Sequence, residues 1–160
     1  MIRIITQNEV FETFFDLIID IEIGDHFDKS NNLHMKWLKQ KVSRRISCGA
    51  TFYGYFDKDT TPIGLGAVII EDHPVFPGYS ELVDLGVLPK YRRRGYGTEL
   101  IKYAENLSKR AGVFCMYITT YAGDNTAISF YMNCGYSPVA VLPDVHGPDN
   151  HGRLYLIKRL

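Results

Sequence analysis

Apolar residues recur at helical spacing in the first part of this chain. Five of them follow the pair Thr6 and Glu9: Phe11, Phe14, Phe15, Ile18 and Ile21. Because a Thr and a Glu three residues apart match a capping box, the pattern predicts one helix that begins after Thr6. A second helix is predicted over residues 34–46, with an inner side formed by Trp37, Leu38, Val42 and Ile46.

From residue 50 onward the apolar positions form short runs bounded by turn residues, a pattern typical of strands. With a short apolar run at residues 2–5, they predict strands at residues 50–56, 63–71, 79–87, 113–120, 139–142 and 153–159. Two more helices are predicted between strands, one from Tyr96 to a stop at Gly112 and one over residues 126–133. The order is β-α-α-β-β-β-α-β-α-β-β. Antiparallel strands come first and β-α-β crossovers follow, so we expect an α/β fold with a mixed central sheet flanked by helices.

The composition narrows the class of protein. A length of 160 residues with 46% apolar content fits one domain spanning residues 1–160. Eighteen basic and eighteen acidic residues cancel, which argues against a nucleic-acid or membrane partner. Three cysteines without metal-type spacing, and a start without the apolar run of a signal peptide, favour a cytoplasmic protein. The five histidines form no ligand pattern, so no metal is expected.

Residues 85–98 combine the features of an anion site. A strand end and Pro89 are followed by three arginines, and Gly95 and Gly97 then open a helix. Glycine lets the backbone approach a ligand closely, and a helix start offers unpaired N–H groups and the positive end of the helix dipole. The arginines alone would also fit a solvated patch or an RNA contact. Their place beside the glycines favours a pyrophosphate.

Two motifs together resemble one family. Val-Leu-Pro at residues 87–89 leads into Arg-Arg-Arg-Gly-Tyr-Gly at residues 92–97, which is similar to a Gln/Arg-x-x-Gly-x-Gly/Ala signature after a Val-x-Pro strand end. Asn and Ala at 125 and 127, with Phe-Tyr…Gly-Tyr over residues 130–136, are similar to a second signature that ends in Phe. The chain resembles the GNAT superfamily of acyl-CoA-dependent N-acyltransferases, over roughly residues 50–160.

The resemblance implies a GNAT-like fold and acetyl-CoA as co-substrate. It implies that the strand ending at Val87 splays from the strand at residues 113–120, so that the pantetheine arm lies between them and its amides meet unpaired backbone groups. It also implies that N–H groups at residues 93–98 wrap the pyrophosphate. The implied cofactor-binding residues are Leu85, Gly86, Val87, Arg92, Arg93, Arg94, Gly95, Tyr96, Gly97, Thr98, Asn125 and Tyr131.

Tyr131 is the candidate general acid. Acyl transfer expels the CoA thiolate, and a phenol at the sulfur can donate a proton to it. A tyrosine, with a pKa of about 10, stays protonated near neutral pH. Asn125, by the same resemblance, hydrogen-bonds the pantetheine region; a helix cap is the other interpretation of this residue, and the two are compatible.

Glu81 is the candidate general base. It stands six residues before Val87 on the same strand, hence on the same face. In several members of the family a glutamate at that offset acts through a water, although an ordinary charged strand residue fits equally well. Asp84 points to the opposite face and is the weaker candidate. No cysteine has a histidine partner in its sequence context, so direct transfer in a ternary complex is favoured.

The sequence thus predicts an N-acetyltransferase acting on a primary amine in a small molecule or a peptide. A non-catalytic acyl-CoA sensor module is the alternative. The acceptor, acyl length and general base stay open, as does a homodimer. Loop residues that could rim an acceptor pocket are His26, His73, His146, His151, Asp25, Asp28, Asp72, Asp144 and Asp149.

Overall fold

A computed structural model describes residues 1–22, 27–71, 74–75, 78–145, 147 and 150–160, with residues 21 and 22 as backbone only. Its strands are β1 (Ile2–Ile4), β2 (Thr51–Phe56), β3 (Pro62–Glu71), β4 (Tyr79–Val87), β5 (Cys115–Tyr121), β6 (Ser137–Leu142) and β7 (Arg153–Arg159). Its helices are α1 (Gln7–Glu12), α2 (Phe15–Glu22), α3 (Asn32–Ser47), α4 (Tyr96–Arg110) and α5 (Asn125–Asn133). A 3₁₀ turn, Pro89–Tyr91, lies between β4 and α4.

The strands form one seven-stranded sheet in the order β1-β2-β3-β4-β5-β7-β6. The β1–β2 and β2–β3 pairs are antiparallel, β4 and β5 are parallel, and β7 runs antiparallel to both β5 and β6. The predicted mixed sheet with helices between its strands is therefore confirmed.

The first predicted helix is wrong in one respect, because it is two helices. The capping box of Thr6 and Glu9 is present. The N–H groups of Thr13 and Phe14 both donate to the Glu9 carbonyl, at 2.9 and 3.0 Å, and this ends α1. The break lets the fully buried Phe14 ring meet Phe56 edge-on, with ring centroids 5.4 Å apart. A Cβ on Gly54 would lie 2.3 Å from this ring, so β2 needs glycine there.

The inner side predicted for the second helix needs one correction. Leu38 and Val42 of α3 are buried as expected, but the Trp37 ring is 46% exposed and carries Lys41 over its face, 5.0 Å from the ring centroid. Each residue turns a helix by 100°, so Trp37 stands well away from Val42 around the axis. An amphipathic tryptophan tolerates this position because the Lys41 ammonium lies over one face of the ring.

The chain divides into two compact units. Unit 1 consists of Met1–Ile69 and Asp84–Ala104, and unit 2 of Ile70–Val83 and Glu105–Leu160. The largest fully buried side chains of unit 1 are Phe14, Ile18, Leu38, Tyr53, Ile63, Leu65, Leu100 and Ile101. Those of unit 2 are Met116, Ile118, Tyr136 and Leu156. A single domain over residues 1–160 stays a prediction.

Candidate functional site

The turn between β4 and α4 is shaped by its backbone. Arg93 and Gly95 have φ values of 62° and 87°, in the left-handed region that favours glycine. A Cβ on Gly95 would meet nothing within 4 Å, so the glycine serves the backbone conformation, with open space in front of it. The Arg92 Nε donates to the Val87 carbonyl at 2.9 Å and ties the turn to the end of β4.

This conformation leaves a row of N–H groups without a backbone partner in the described part of the chain. Among the described residues no backbone carbonyl accepts from the N–H groups of residues 93–98, and the Glu99 N–H is the first to bond back, to the Gly95 carbonyl at 3.1 Å. The row coincides with the positive end of α4. The side chains of Arg92, Arg93 and Arg94 are exposed beside it. The geometry fits the pyrophosphate site that the glycines and arginines predict.

Two aromatic contacts fix the surroundings of the turn. The Tyr55 hydroxyl donates to Glu99 Oε2 at 3.0 Å, and burial, followed by this carboxylate, raises the pKa of Tyr55. The Tyr96 ring lies 4.8 Å from the Tyr55 ring and 6.4 Å from the Tyr91 ring. The only acidic side chain in the first turn of α4 is thus held by a phenol.

The ladder between β4 and β5 is short. Four residues, Tyr79 to Leu82, pair with Cys115 to Ile118, although β4 continues to Val87 and β5 to Tyr121. The predicted cofactor-binding residues Leu85, Gly86 and Val87 lie beyond this ladder and are half-buried. An early end to the pairing is what a splayed strand pair requires, because backbone groups past that point can meet a ligand amide.

Glu81 lies in the ladder and has a partner that the sequence did not reveal. Glu81 is directly opposite Tyr117 on β5, and the Tyr117 hydroxyl donates to Glu81 Oε2 at 2.7 Å. Burial, and then the Glu81 carboxylate, raise the pKa of Tyr117 well above its ordinary value. The phenol therefore stays protonated and donates to the carboxylate throughout the neutral range.

Asp84 has a structural role in unit 1. Its side chain is 2% exposed and forms an ion pair with Arg45 of α3, whose side chain is 17% exposed. The carboxylate thus binds α3 to the end of β4. Burial against a guanidinium agrees with its lower ranking as a base.

Helix α5 carries Asn125 and Tyr131. Asn125 is the exposed first residue, and the cap interpretation of it is wrong, because Asp124 accepts from the N–H groups of Thr126 and Ala127 at 3.0 and 2.9 Å. Tyr131 is half-buried, with its ring 5.3 Å from Phe130 and 6.3 Å from Tyr136. Six residues turn a helix through about 240°, so Asn125 and Tyr131 leave α5 on different sides.

Tyr136, where the family motif has Phe, uses its hydroxyl. The hydroxyl donates to Glu105 Oε1 of α4 at 3.2 Å, and Lys158 Nζ of β7 donates to the same oxygen at 2.7 Å. Lys158 Nζ also reaches the Cys134 carbonyl at the end of α5, at 2.8 Å. This buried cluster joins α4, α5 and β7, and spacing along the chain gives no signal for it.

Only some of the loop residues predicted to rim an acceptor pocket are among the described residues. His26, His73, His146, Asp25, Asp72 and Asp149 lie outside the described residues. Asp28 accepts from Ser30 within its own loop, which lowers the pKa of Asp28, and the His151 ring lies 5.9 Å from the Tyr121 ring. The described part of the chain shows no cluster of three metal-ligating side chains, and no described helix is long and apolar enough to cross a membrane.

The chain belongs to the acetyltransferase (GNAT) family, whose model matches residues 11–136 and so includes the turn at residues 93–98. A curated relative, the uncharacterized N-acetyltransferase YobR of Bacillus subtilis (strain 168), is 29% identical over 105 residues, which is 66% of this chain. The chain spans 40% of the length of that relative.

Solved structures share the fold. An aminoglycoside 6′-N-acetyltransferase complexed with coenzyme A is 18% identical, with a TM-score of 0.72 over 99% of this chain and 96% of that one. A Bacillus subtilis acetyltransferase in complex with CoA is 17% identical, with a TM-score of 0.72 over 99% of this chain and 97% of that one. A chain of the NatC complex bound to Gag peptide and CoA is 16% identical, with a TM-score of 0.71 over 100% of this chain and 98% of that one.

Proposed function

We propose that the protein transfers an acetyl group from acetyl-CoA to a primary amine, directly and within a ternary complex. The observation that carries the proposal is the row of N–H groups at residues 93–98, opened by positive φ values at Arg93 and Gly95. Family membership supports it. So do solved neighbours that bind CoA, although they share the fold alone at the identities measured.

In this proposal the donor is held mainly by backbone. The N–H groups of residues 93–98 take the pyrophosphate at the positive end of α4, and the side chains of residues 92–94 add charge around it. The half-buried stretch 85–87 offers backbone groups to the pantetheine amides, and Asn125 adds a side-chain amide. Open space in front of Gly95 is the feature that a bulky pyrophosphate needs.

The chemistry needs one proton acceptor and one proton donor. The neutral amine attacks the thioester carbonyl, the N–C bond forms and the C–S bond breaks. Glu81 takes the proton from the amine through a water, and Tyr131 gives its proton to the departing thiolate sulfur. The Tyr117 hydrogen bond supports the role of Glu81, because it holds the carboxylate in one position.

A covalent acetyl-enzyme is not part of the proposal. Cys48 is exposed, and Cys115 and Cys134 are half-buried. A nucleophilic cysteine is activated by an adjacent base such as histidine, and no histidine stands beside any of the three cysteines in the sequence. In this proposal the amine receives the acetyl group from CoA itself.

The experiment is an assay of acetyl-CoA-dependent thiol release against a broad panel of primary amines, with CoA binding measured in parallel. We expect turnover with at least one class of amine and CoA binding without any amine. No turnover together with retained CoA binding would favour the non-catalytic sensor. Loss of both would remove the phosphate site as well.

A further inference from the structure

One face of the sheet in unit 2 carries three tyrosines and a carboxylate. Glu81 pairs with Tyr117, and Tyr155 of β7 pairs with Thr119, two residues beyond Tyr117. Tyr79 stands two residues before Glu81. Because side chains alternate along a strand and partners in register share a face, all four point to the same side. We call Tyr79, Glu81, Tyr117 and Tyr155 the tyrosine face.

The two sides of these strands differ in burial. The alternate residues form core on the other side: Ser80, Leu82, Met116, Ile118, Leu154 and Leu156 are all buried. On the tyrosine face, Tyr79 is 47% exposed, and Glu81, Tyr117 and Tyr155 are half-buried. The carboxylate is thus open to a ligand and has aromatic surface beside it.

The rings and the carboxylate act as a group. The rings of Tyr79 and Tyr117 are 5.9 Å apart, and the Tyr117 hydroxyl occupies Glu81 Oε2. Among the described residues none donates to Glu81 Oε1. Two arginines belong to the same side of the strands, but Arg159 lies over the Phe114 ring, 5.6 Å from its centroid, and Arg153 pairs with Tyr121 at the far end of β5.

This chemistry is complementary to a cation. The π face of a phenol carries partial negative charge and attracts an ammonium within about 6 Å, and a carboxylate adds a full negative charge. A carboxylate on the ligand would meet repulsion from both. An acceptor whose amine-bearing carbon also carries a carboxylate therefore fits this face badly, whereas an unsubstituted alkyl ammonium fits it well.

We infer that the tyrosine face is the acceptor site and that it selects primary amines without a carboxylate on the amine-bearing carbon. The inference rests on the proposed function and narrows its substrate class. The amine binds as an ammonium against the rings, with Glu81 Oε1 as its counter-ion. Glu81 then removes the proton through a water, as the transfer requires.

The test uses a matched pair of probes, pentylamine and L-norleucine, which differ by one carboxylate on the carbon that carries the amine. Their Kd values are measured by calorimetry in the presence of CoA, and their KM values by thiol release. We expect pentylamine to bind at least about tenfold more tightly, because its charge is opposed by no carboxylate. Equal Kd values, or no binding of pentylamine, would overturn the inference.

Variants then assign the binding to the rings. Tyr155→Leu and Tyr79→Leu should each raise the Kd of pentylamine about fivefold, whereas Tyr155→Phe, which keeps the ring, should change it less than twofold. Tyr79 is the more exposed of the two, so its variant answers the question if Tyr155→Leu fails to fold. Trp37→Leu is the control, because it removes an exposed ring from α3.

The two proposals fail in different ways. Turnover with pentylamine whose KM is unchanged in both leucine variants would overturn the inference and leave the acetyltransferase standing. Selective binding of pentylamine without thiol release from acetyl-CoA would overturn the proposed transfer reaction. The cation-binding site on the tyrosine face would then be supported on its own.

Discussion

The turn at residues 88–98 and the tyrosine face present their polar groups in opposite ways. The turn offers main-chain N–H groups, held in place by left-handed φ values, and its three arginine side chains are exposed. The tyrosine face offers side chains on a regular strand backbone, held by the β4–β5 and β5–β7 registers. A substitution that strains the backbone should therefore weaken CoA binding at the turn. A substitution that removes one side-chain oxygen should instead lower the rate of the reaction in unit 2.

The largest expected effect is the loss of the proton donor in unit 2. Tyr131→Phe removes one oxygen and should lower kcat about 10³-fold, because a positioned general acid contributes about 10² to 10⁴. CoA affinity, set by the turn, should change less than twofold. The checks are steady-state kinetics and CoA calorimetry. A kcat within threefold of wild type would remove Tyr131 as the acid.

Asp84→Asn should act on stability, in contrast to Glu81 on the same strand. The change removes one charge of a buried pair and should lower the free energy of unfolding by about 3 kcal/mol. Urea unfolding measures it. Glu81→Gln is the control and should cost less than about 1.5 kcal/mol, because the amide oxygen can still accept from the Tyr117 hydroxyl. Equal losses in both variants would erase the distinction between the two carboxylates.

Glu81→Gln should lower kcat/KM about 10²-fold through loss of the general base. The measurement is kcat/KM from pH 5 to 9, in the wild type and in the glutamine variant. If Glu81 is the base, the two pH profiles should differ. The same profile in both proteins would show that another group takes the proton.

Gly95→Ala tests the turn through its backbone. A residue other than glycine at a φ of 87° costs about 1–2 kcal/mol, so the turn should relax and the Kd of CoA should rise about tenfold. Gly112→Ala is the matched control, with a φ of 76° and equally open space at the other end of α4. It should lower stability to a similar degree and leave the Kd of CoA unchanged. Similar Kd values for both variants would contradict a backbone-made site.

Tyr136→Phe, which restores the residue of the family motif, has the smallest expected effect. The lost hydrogen bond to Glu105 should cost about 1 kcal/mol, measured by urea unfolding, without a change in kcat. Tyr103→Phe is the control, since its ring packs 5.1 Å from the Tyr53 ring and no hydrogen bond of its hydroxyl occurs among the described residues. A gain in stability for Tyr136→Phe would mean that burial of the hydroxyl costs more free energy than its hydrogen bond returns.

Features made by consecutive residues were predictable. Local glycines predict the turn at Gly95 and the start of α4. Turn residues and apolar spacing predict the strands of the mixed sheet. The capping box at Thr6 follows from two residues three apart. Each depends on interactions within a few positions of the chain.

Features that depend on strand register or on packing between elements could not be predicted from the sequence. Helical spacing continues through Thr13 and Phe14, and the helix breaks there because the Phe14 ring packs against Gly54 and Phe56 of a distant strand. Tyr117 became the partner of Glu81 through a strand pairing that joins positions 36 residues apart. The hydroxyl of Tyr136 meets Glu105 and Lys158 for the same reason, since three elements must pack before these groups are neighbours.

The most direct test of the central claim is the initial rate of thiol release as acetyl-CoA and an accepted amine are varied together. Direct transfer in a ternary complex predicts double-reciprocal lines that intersect, and no thiol release when the amine is left out. Parallel lines, with one equivalent of thiol released before any amine is added, would contradict it and would point to an acetylated enzyme.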